Sequence, residues 1–460
     1  MAMITDIAVI GLGKLGATMA ACLASRGFNV IGVDVSQKAV SAMNAGRAPA
    51  QETGLDELIA KHKDRIRATL SHEDAILNSD LSFVIVPTPS DERGAFSLQY
   101  AAYAFEGIGK ALAKRERYHT VVLTSTVLPG STRYGLLPIL EKHSGKRCGS
   151  DFGLCYSPEF IALGTVIRDY LNPDFYLVGE FDERSGTALE SVNDRVALNK
   201  APSKRMSLEN AELAKISVNS FVTLKISYAN MLADLCERIP GGDVDVVSDA
   251  IGMDKRIGRR YLTGGFGYGG PCFPRDNVAL NFIGQHLGAS TQLLEVNDTF
   301  NRTISPRFVD KLKAYLHKGS TVAVLGLAYK PLSHVIEESA GMYLCLSLAS
   351  SGFRVIGYDP LAAAEAQAAL RMHALVADSL AACLQDAECV LVTTPDEAFK
   401  ALKPADFLGG KKLVTVIDFW RCLPEVVRTH PQIQYVPMGR CLDDAMAIRK
   451  LERLWRDDAS

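Results

Sequence analysis

Several features that would assign this 460-residue chain to other classes of protein are missing. It contains no run of about 18 apolar residues, which argues against a membrane span. Its 50 basic and 52 acidic residues nearly cancel, and no dense basic block is present to follow a nucleic-acid backbone. The amino terminus has neither a basic segment nor a small-residue cleavage site, so we do not expect export. We therefore expect a cytoplasmic protein that binds neither membrane nor nucleic acid.

Cysteine is frequent but lacks the spacing of a metal site. The ten cysteines include no C-x-x-C pair with a matching His or Cys partner, so we expect no zinc and no other metal. Most should be small apolar residues of a core. Cys272 differs, because it follows a glycine-rich stretch and precedes Arg275 and Asp276. Positive charge favours a thiolate and a carboxylate can move protons, yet the residues alone leave a reactive and a buried thiol equally open.

Two parts of the chain repeat one pattern. IAVIGLG (7–13) and GFNVIGVD (27–34) are echoed by VAVLGLA (322–328) and GFRVIGYD (352–359). Each pair has the form of a buried strand, a glycine turn, a helix and a second strand that ends in Asp, which predicts a parallel βαβ unit. The second copy carries the additional stretch YKPLSHVIEE after its turn, so we expect its loop to differ in function.

Other segments complete the predicted fold. Apolar runs predict further strands within 81–89, 118–130, 388–396 and 412–420. The segment 207–239 has a helical period without Gly or Pro, which predicts one helix about 45 Å long. We predict an α/β fold with two Rossmann-like parallel-sheet domains (1–200 and 306–460). A helical middle domain (201–305) would contain the long central helix and the loop of Cys272.

The first glycine turn has the form of a dinucleotide site. GLGKLG is G-x-G-x-x-G directly after a strand, and Asp34 ends the next strand. Gly11 would permit the turn, Gly13 would let the backbone approach a pyrophosphate, and Gly16 would allow close contact between helix and sheet. Asp34 would bind the adenosine ribose and repel a 2′-phosphate, so NAD is favoured over NADP. A glycine turn that binds no dinucleotide is the alternative.

The long central helix contains a polar pair. Lys215 and Asn219 are four residues apart and so share one helix face. A lysine beside a carbinol oxygen would stabilise the alkoxide that forms as a hydride departs. A solvated helix face explains the same pair, and the residues alone do not decide between the two interpretations.

The order of motifs over nearly the whole chain resembles the UDP-glucose/GDP-mannose dehydrogenase family. The motifs are GLGKLG (11–16), VPTP (86–89), STVLPGST (125–132), YSPEF (156–160), AELAKISVN (211–219), RIG (256–258), GFGYGGPCFPRD (265–276), GLAYKP (326–331) and YDP (358–360). The stretch around Cys272 is the most specific of them. The resemblance implies an NAD-dependent, four-electron oxidation of the C6 alcohol of a nucleotide sugar to a uronic acid, with UDP-glucose as the first candidate. Such a product usually serves polysaccharide biosynthesis.

The resemblance also implies roles for the central residues. Cys272 would hold the aldehyde as a thiohemiacetal and then as a thioester, which keeps it bound between the oxidations. Lys215 and Asn219 would polarise the C6 oxygen, and Asp276 would handle the water or the proton. The first domain would hold NAD, and the second the nucleotide end of the substrate.

Further residues match family contacts by position. Thr126 and Glu159 match a pair that positions water and acts as acid or base, with Glu159 as the base of thioester hydrolysis. Thr88, Thr126 and Lys330 would contact the cofactor. The implied substrate contacts are Phe160, Lys215, Asn219, Arg256, Gly269, Lys330 and Arg421. Arg256 would reach the substrate of a neighbouring subunit, which implies a homodimer built around the central helix.

Three positions depart from the family pattern. Leu163 stands where many members have a second glutamate, and Glu337 stands where an arginine is expected. The usual Asp-Gly-Arg is DFWR (418–421), so Arg421 is displaced by one position, and Trp420 is either a base-stacking platform or core. A UDP-N-acetylhexosamine or GDP-mannose 6-dehydrogenase, a single-hydride β-hydroxyacid-type dehydrogenase and a catalytically silent nucleotide-sugar-binding protein therefore remain as alternatives.

Overall fold

The computed structural model describes residues 3–161, 164–313, 315–317 and 319–457. It divides into two compact units, Met1–Val218 with Val278–Ser290 and Asn219–Asn277 with Thr291–Ser460. Two of the three boundaries between them, 218/219 and 277/278, fall inside the continuous helices Leu208–Cys236 and Phe273–His286. Residues of the predicted middle domain (201–305) are therefore divided between the two units, and the predicted domain boundaries stay a prediction.

The first unit is built on an eight-stranded sheet. Its strands are β1 Asp6–Ile10, β2 Asn29–Val33, β3 Ile66–Thr69, β4 Leu81–Val84, β5 Thr120–Leu123, β6 Gly153–Tyr156, β7 Tyr176–Glu180 and β8 Ser203–Ser207. They lie in the order β3-β2-β1-β4-β5-β6-β7-β8, and only the β6–β7 pairing is antiparallel. The order reverses direction between β1 and β4, which is where open α/β sheets bind ligands.

The second unit contains a six-stranded, wholly parallel sheet. Its strands are β9 Thr321–Leu325, β10 Arg354–Tyr358, β11 Leu375–Val376, β12 Cys389–Val392, β13 Val414–Asp418 and β14 Ile433–Pro437. They lie in the order β11-β10-β9-β12-β13-β14, so β9 takes the central position that β1 has in the first sheet.

Helices connect the strands and cover the sheets. In chain order they are α1 Lys14–Ser25, α2 Gln37–Asn44, α3 Leu55–Lys61, α4 His72–Leu77, α5 Gln99–Lys114, α6 Leu137–Ser144, α7 Val166–Leu171, α8 Glu183–Val196, α9 Leu208–Cys236, α10 Val244–Gly252, α11 Phe273–His286, α12 Gln292–Leu312, α13 Ala340–Ser350, α14 Ala363–Leu370, α15 Leu380–Leu384, α16 Glu397–Lys400, α17 Pro404–Leu408, α18 Glu425–Arg428 and α19 Asp444–Asp457. A π-helical turn, Ser131–Leu136, precedes α6. The predicted long central helix is α9, with 29 residues.

Each sheet has a core on both faces. Successive residues of β1 belong alternately to two apolar clusters, Ile7 and Val9 to one and Ala8 and Ile10 to the other. Strand β9 repeats this arrangement. Because strand side chains alternate between faces, near-continuous apolar runs are what a sheet covered on both sides requires. The predicted α/β class with two Rossmann-like sheets is confirmed. No helix of the described residues is long and apolar enough to cross a membrane.

Candidate active site

The first glycine turn leaves space where a dinucleotide would approach. Gly11 has φ +99°, and a Cβ atom there would lie 2.2 Å from the Ile85 carbonyl oxygen. A Cβ atom on Gly16 would lie 1.8 Å from the Gly11 carbonyl oxygen, so glycine alone permits this contact. A Cβ atom on Gly13 would meet no protein atom within 4 Å. Gly13 is thus not required by packing, which fits a position kept small for a pyrophosphate at the start of α1.

Asp34 follows β2 beside this turn. Its Oδ2 accepts a hydrogen bond from the Leu12 amide at 2.7 Å and its Oδ1 one from the Ser36 amide at 2.8 Å. The side chain is partly exposed. A carboxylate has about four acceptor positions, so Asp34 retains two for ribose hydroxyls. The turn and its acid therefore fit an NAD molecule.

The loops after β4 and β5 are joined by three hydrogen bonds. The Thr88 hydroxyl donates to the Thr126 carbonyl oxygen at 2.7 Å. The Ser125 hydroxyl donates to the Val86 carbonyl oxygen at 2.6 Å and accepts from the Val86 amide at 2.9 Å. Both loops lie at the carboxyl ends of parallel strands beside β1. The structure therefore brings Thr88 and Thr126 together at the expected edge of the sheet.

Glu159, Phe160 and Lys215 also meet in the first unit. The Lys215 ammonium donates to the Glu159 carbonyl oxygen and lies 4.3 Å from the centre of the Phe160 ring. The lysine is 7% exposed, so the interpretation as a solvated face does not hold for it. Burial raises the pKa of the Glu159 carboxyl to about 7, although the nearby Lys215 charge opposes the shift. A carboxyl group with such a pKa can act as a base near neutral pH.

The second unit places the other predicted residues around the start of α11. The Asn219 amide donates to Asp276 Oδ2 at 2.6 Å, and Asp276 is 1% exposed. Cys272 immediately precedes α11, where its carbonyl oxygen accepts from the Asp276 amide at 2.9 Å. Its side chain is exposed. Because a helix N-terminus favours negative charge, this position suits a thiolate.

The glycines before Cys272 pack against protein groups. A Cβ atom on Gly269 would lie 2.2 Å from the Glu338 carbonyl oxygen, and one on Gly270 would lie 2.5 Å from the Tyr329 ring. The Gly270 amide donates to the Glu337 carbonyl oxygen at 3.1 Å. The Gly270 N–H group is therefore bonded within the unit and is not available to a ligand. Here close packing within the unit accounts for the absence of side chains.

A buried polar network supports the segments that carry Cys272, Asn219 and Asp276. The Asn277 amide donates to the Tyr268 hydroxyl at 3.1 Å and to the Thr223 hydroxyl at 2.9 Å. Tyr268 lies in the glycine-rich loop and Thr223 one turn after Asn219 on α9. These hydrogen bonds join the glycine-rich loop, α9 and α11 to one another and so restrict the movement of the three segments.

Lys330 and Arg256 lie at two other places in the second unit. The Lys330 ammonium lies 5.8 Å from the ring centre of Tyr329, and burial together with the Cys272 thiol raises the pKa of Tyr329 to about 12. Arg256 is 88% exposed and pairs with Asp254 at 2.6 Å. Lys330 thus lies near Tyr329, whereas Arg256 is exposed to solvent.

Comparison with known proteins identifies the family. Three sequence models of the UDP-glucose/GDP-mannose dehydrogenase family match: the NAD binding domain over 5–197, the central domain over 209–303 and the UDP binding domain over 323–425. This chain belongs to that family. It is therefore an NAD-dependent nucleotide-sugar dehydrogenase, and the predicted family, enzyme class and cofactor are confirmed.

Relatives of this dehydrogenase align over most of its length. The UDP-glucose 6-dehydrogenase AglM of Haloferax volcanii is 35% identical over 89% of this chain and 97% of its own. The GDP-mannose 6-dehydrogenase of Pseudomonas putida is 32% identical over 90% of this chain and 96% of its own. The solved UDP-glucose dehydrogenase of Pyrobaculum islandicum is 31% identical and has a TM-score of 0.84, covering 95% of this chain and 98% of that one.

Arg421 is the one proposed substrate contact that the structure reassigns. Its guanidinium is buried and binds both oxygens of Asp245, at 2.7 and 2.9 Å. Its remaining N–H groups donate to the carbonyl oxygens of Phe419, Met438 and Gly264. All five donors are used within the second unit, so none is left for a phosphate. We correct the expectation accordingly: Arg421 has a structural role.

The other departures from the family pattern have different outcomes. The Trp420 indole donates to the Thr393 carbonyl oxygen at 2.7 Å and packs against the apolar cluster beneath the second sheet, as the core interpretation requires. Leu163 lies outside the described residues. The consequence of Glu337 stays a prediction.

Among the described residues, no group of three or more His, Cys, Asp or Glu side chains could hold a metal ion.

Sequence reasoning missed two supporting groups in this dehydrogenase. One is the network of Asn277, Thr223 and Tyr268, whose members are too far apart in sequence to form a motif. The other is Glu212, three residues before Lys215 on α9, which is completely buried. Its spacing from Lys215 was the available signal, because residues three apart on a helix share a face.

Proposed function

We propose that this dehydrogenase oxidises the C6 primary alcohol of a UDP-sugar to the uronic acid, with two NAD per sugar and UDP-glucose as the first substrate to test. One observation carries the proposal: an exposed thiol, Cys272, immediately precedes α11, in whose first turn Asp276 is hydrogen-bonded to Asn219. A single-hydride dehydrogenase of the β-hydroxyacid type has no use for such a thiol. UDP-glucose is favoured because relatives of that activity reach 35% identity, and GDP-mannose is the alternative because other relatives reach 32%.

The first oxidation depends on groups around the C6 oxygen. Bound NAD supplies the hydride acceptor for both oxidations. Lys215 and Asn219, one turn apart on α9, donate hydrogen bonds to the C6 oxygen and stabilise the alkoxide that develops there. The hydroxyl proton leaves through a base, and the product of this step is the C6 aldehyde.

Cys272 then keeps the aldehyde bound. The thiolate attacks C6 and the carbonyl oxygen takes a proton, which gives a thiohemiacetal. Loss of a second hydride and of the hydroxyl proton gives a thioester. Water, deprotonated by Glu159 and positioned by Thr126, adds to the thioester and expels the thiolate. The sum is one alcohol, one water and two NAD giving one carboxylate, two NADH and three protons.

The test of this proposal is the yield of NADH on limiting sugar nucleotide. UDP-glucose, UDP-N-acetylglucosamine, UDP-N-acetylmannosamine and GDP-mannose are run in parallel, and two equivalents are expected with UDP-glucose. One equivalent with every sugar would replace the proposal with the single-hydride dehydrogenase. No NADH with any of the four would favour a silent binding protein or a sugar outside the panel.

Cys272→Ala separates the thioester mechanism from other routes to the acid. We expect acid formation to fall by at least about 1000-fold, since a covalent nucleophile is lost. Cys441→Ala is the matched control, because it removes another accessible cysteine of the same unit. Uronic acid formation by Cys272→Ala at the parent rate would exclude the thioester.

We also propose a homodimer formed around α9. One face of this helix exposes Phe221, Tyr228, Met231 and Leu235, which are 64%, 50%, 38% and 47% exposed. In chain order they are seven, three and four residues apart, which is the spacing of an apolar stripe through which two helices pack. Arg256, 88% exposed, would reach the partner's substrate.

Mixed dimers test both parts of the dimer proposal. Cys272→Ala and Arg256→Ala chains are each expected to be inactive alone. Coexpression should restore about a quarter of the parent activity per site, because half of the dimers are mixed and one of their two sites is complete. A monomeric mass in solution, or no restored activity, would contradict the proposal.

The location and pathway follow from the family resemblance. We propose that the enzyme is cytoplasmic and supplies a uronic acid for polysaccharide synthesis. Fractionation of the source cells should recover the protein with the cytosolic fraction, and recovery with membranes would contradict this location.

A further inference from the structure

Glu212 is a buried carboxylate that the reaction does not use directly. It lies on α9 and is 0% exposed. Its Oε2 accepts from the Gly130 amide at 2.6 Å and its Oε1 from the Thr132 amide at 2.8 Å. Burial raises the pKa of this carboxyl to about 7, although the hydrogen bonds from Thr132 and Gly130 oppose the shift. The two amide hydrogen bonds, one to each oxygen, make Glu212 an anchor for the backbone at 130–132.

The anchored backbone is the end of the loop that contains Thr126. The loop leaves β5, passes Thr126 and turns at Gly130, which has φ +89°. The π-helical turn Ser131–Leu136 begins there, and its first amides have no partner within the turn. Glu212 supplies the acceptors for the Gly130 and Thr132 amides, and the Leu128 carbonyl oxygen accepts from the Ser131 amide. At the loop's other side, the Thr88 hydroxyl bonds the Thr126 carbonyl oxygen at 2.7 Å.

On its own helix Glu212 lies three residues before Lys215. A continuous helix fixes the two side chains at a constant separation on one face. Lys215 in turn bonds the Glu159 carbonyl oxygen. A continuous series of contacts within the first unit therefore runs from Thr126 through Glu212 and α9 to Lys215 and Glu159.

We propose that Glu212 is a positioning residue, which fixes the loop of Thr126 relative to Lys215 and Glu159. The inference rests on the proposed function, in which these three residues serve the oxidation and the hydrolysis. Glu212 itself touches neither substrate nor cofactor. Losing the anchor should let the loop move by more than the small tolerance that proximity catalysis allows.

The test compares Glu212→Gln with Glu209→Gln. Glutamine has the size of glutamate but one acceptor oxygen, so one of the two amides loses its partner. Glu209 is the matched control, because it lies on the same helix and contacts the same π-helical turn. It binds the side chain of Arg133 at 2.5 Å, whereas Glu212 binds backbone amides. Glu209→Gln is expected to change kcat less than twofold.

Two readouts decide the matter. In Glu212→Gln, amide hydrogen exchange over 125–136 should rise without NAD or sugar, and kcat should fall at least tenfold while KM for the sugar nucleotide changes less than threefold. A merely structural role would lower the urea midpoint and leave kcat of the folded enzyme within twofold, which would overturn the proposal. Unchanged exchange over 125–136 would overturn it too. If Glu212→Gln does not fold, Glu212→Asp, which keeps the charge but is too short to reach both amides, is judged by the same kcat and exchange criteria.

The NADH yield keeps this test separate from the proposed function. Parent enzyme giving fewer than two NADH per sugar would refute the four-electron oxidation, whatever Glu212 does. The kcat ratio of Glu212→Gln to parent would still decide the positioning role for the oxidation that does occur.

Discussion

The two parallel sheets use the same glycine turn at their central strand. Gly11 after β1 has φ +99° and Gly326 after β9 has φ +107°. A Cβ atom on Gly16 would lie 1.8 Å from the Gly11 carbonyl oxygen, and one on Gly341 would lie 2.0 Å from the Gly326 carbonyl oxygen. The repeat seen in the sequence is therefore a repeat of backbone geometry.

The aspartates that follow β2 and β10 differ in how many backbone amides they bind. Asp34 is partly exposed and each of its oxygens accepts one amide. Asp359 is 5% exposed, and its oxygens accept four backbone amides, those of Leu327, Ala328, Leu361 and Ala362. Asp359 has no acceptor position left for a ribose. A strand that ends in Asp after a glycine turn thus predicts the fold, while the number of amides around the acid decides whether it can bind a dinucleotide.

The N-termini of α1 and α13, the helices that follow the two glycine turns, differ as well. Helix α1 begins after Gly13 without a side-chain cap, whereas the Ser339 hydroxyl caps α13 by accepting from the Met342 amide. Ala328 takes the place of Gly13 in the second turn. The first sheet therefore offers open amides and space at its helix N-terminus, and the second sheet satisfies these groups with its own residues.

The largest expected effect is that of Asp359→Asn on stability. Two backbone amides lose their acceptors in a buried site, so unfolding free energy should fall by about 2–4 kcal/mol. Both tryptophans, Trp420 and Trp455, belong to the second unit, so urea unfolding followed by tryptophan fluorescence reports on that unit. Affinity for NAD should not change. A loss of NAD affinity with unchanged unfolding would reverse the roles assigned to the two acids.

Gly13→Ala makes the first turn resemble the second. The added methyl group meets no protein atom, so stability should be unchanged, while the approach of a pyrophosphate is blocked. We expect NAD to bind at least tenfold more weakly, about 1.4 kcal/mol, in calorimetry. Gly16→Ala is the control that should lower both stability and affinity. If the parent and Gly13→Ala bind NAD equally well, the pyrophosphate does not bind at this turn.

Asp34→Asn should alter the choice of cofactor. The negative charge that repels a 2′-phosphate is lost, so kcat/KM with NADP relative to NAD should rise about tenfold, or about 1.4 kcal/mol. Initial rates with both cofactors measure it. Since Asp359 does not face a cofactor, Asp359→Asn should leave the ratio at the parent value; a shift there would contradict the comparison.

What the sequence predicts depends on how local each feature is. The turns at Gly11 and Gly326 and helix α9 were predictable, because apolar runs, glycine spacing and helical period are properties of short segments. Strand β8 (Ser203–Ser207) was missed, since it is a mostly polar edge strand that pairs with β7 alone. Its pattern does not differ from that of a loop.

The candidate site shows the same limit. Cys272, Asn219 and Asp276 were predictable because they lie in specific motifs. Glu212 could be placed on the helix face of Lys215 from its spacing, but its acceptor role could not be predicted, because the amides that it binds are 82 and 80 residues away. Arg421 was assigned wrongly for the same reason, since its partner Asp245 is 176 residues away. A charged residue reveals its role only when its partner is known.

The smallest expected effect tests the helix starts. Ser339→Ala removes the hydroxyl that caps α13 and should lower the unfolding free energy of the second unit by about 1 kcal/mol. Ser339→Gly gives α13 the uncapped glycine start of α1 and should lower it by only about 0.3 kcal/mol, because glycine leaves the first amides accessible to water. Tryptophan fluorescence in urea distinguishes the two variants. If both variants unfold at the same urea concentration as the parent, the Ser339 cap does not stabilise α13. The two sheets would then differ only in their aspartates, Asp34 and Asp359, and in the residues Gly13 and Ala328 of their turns.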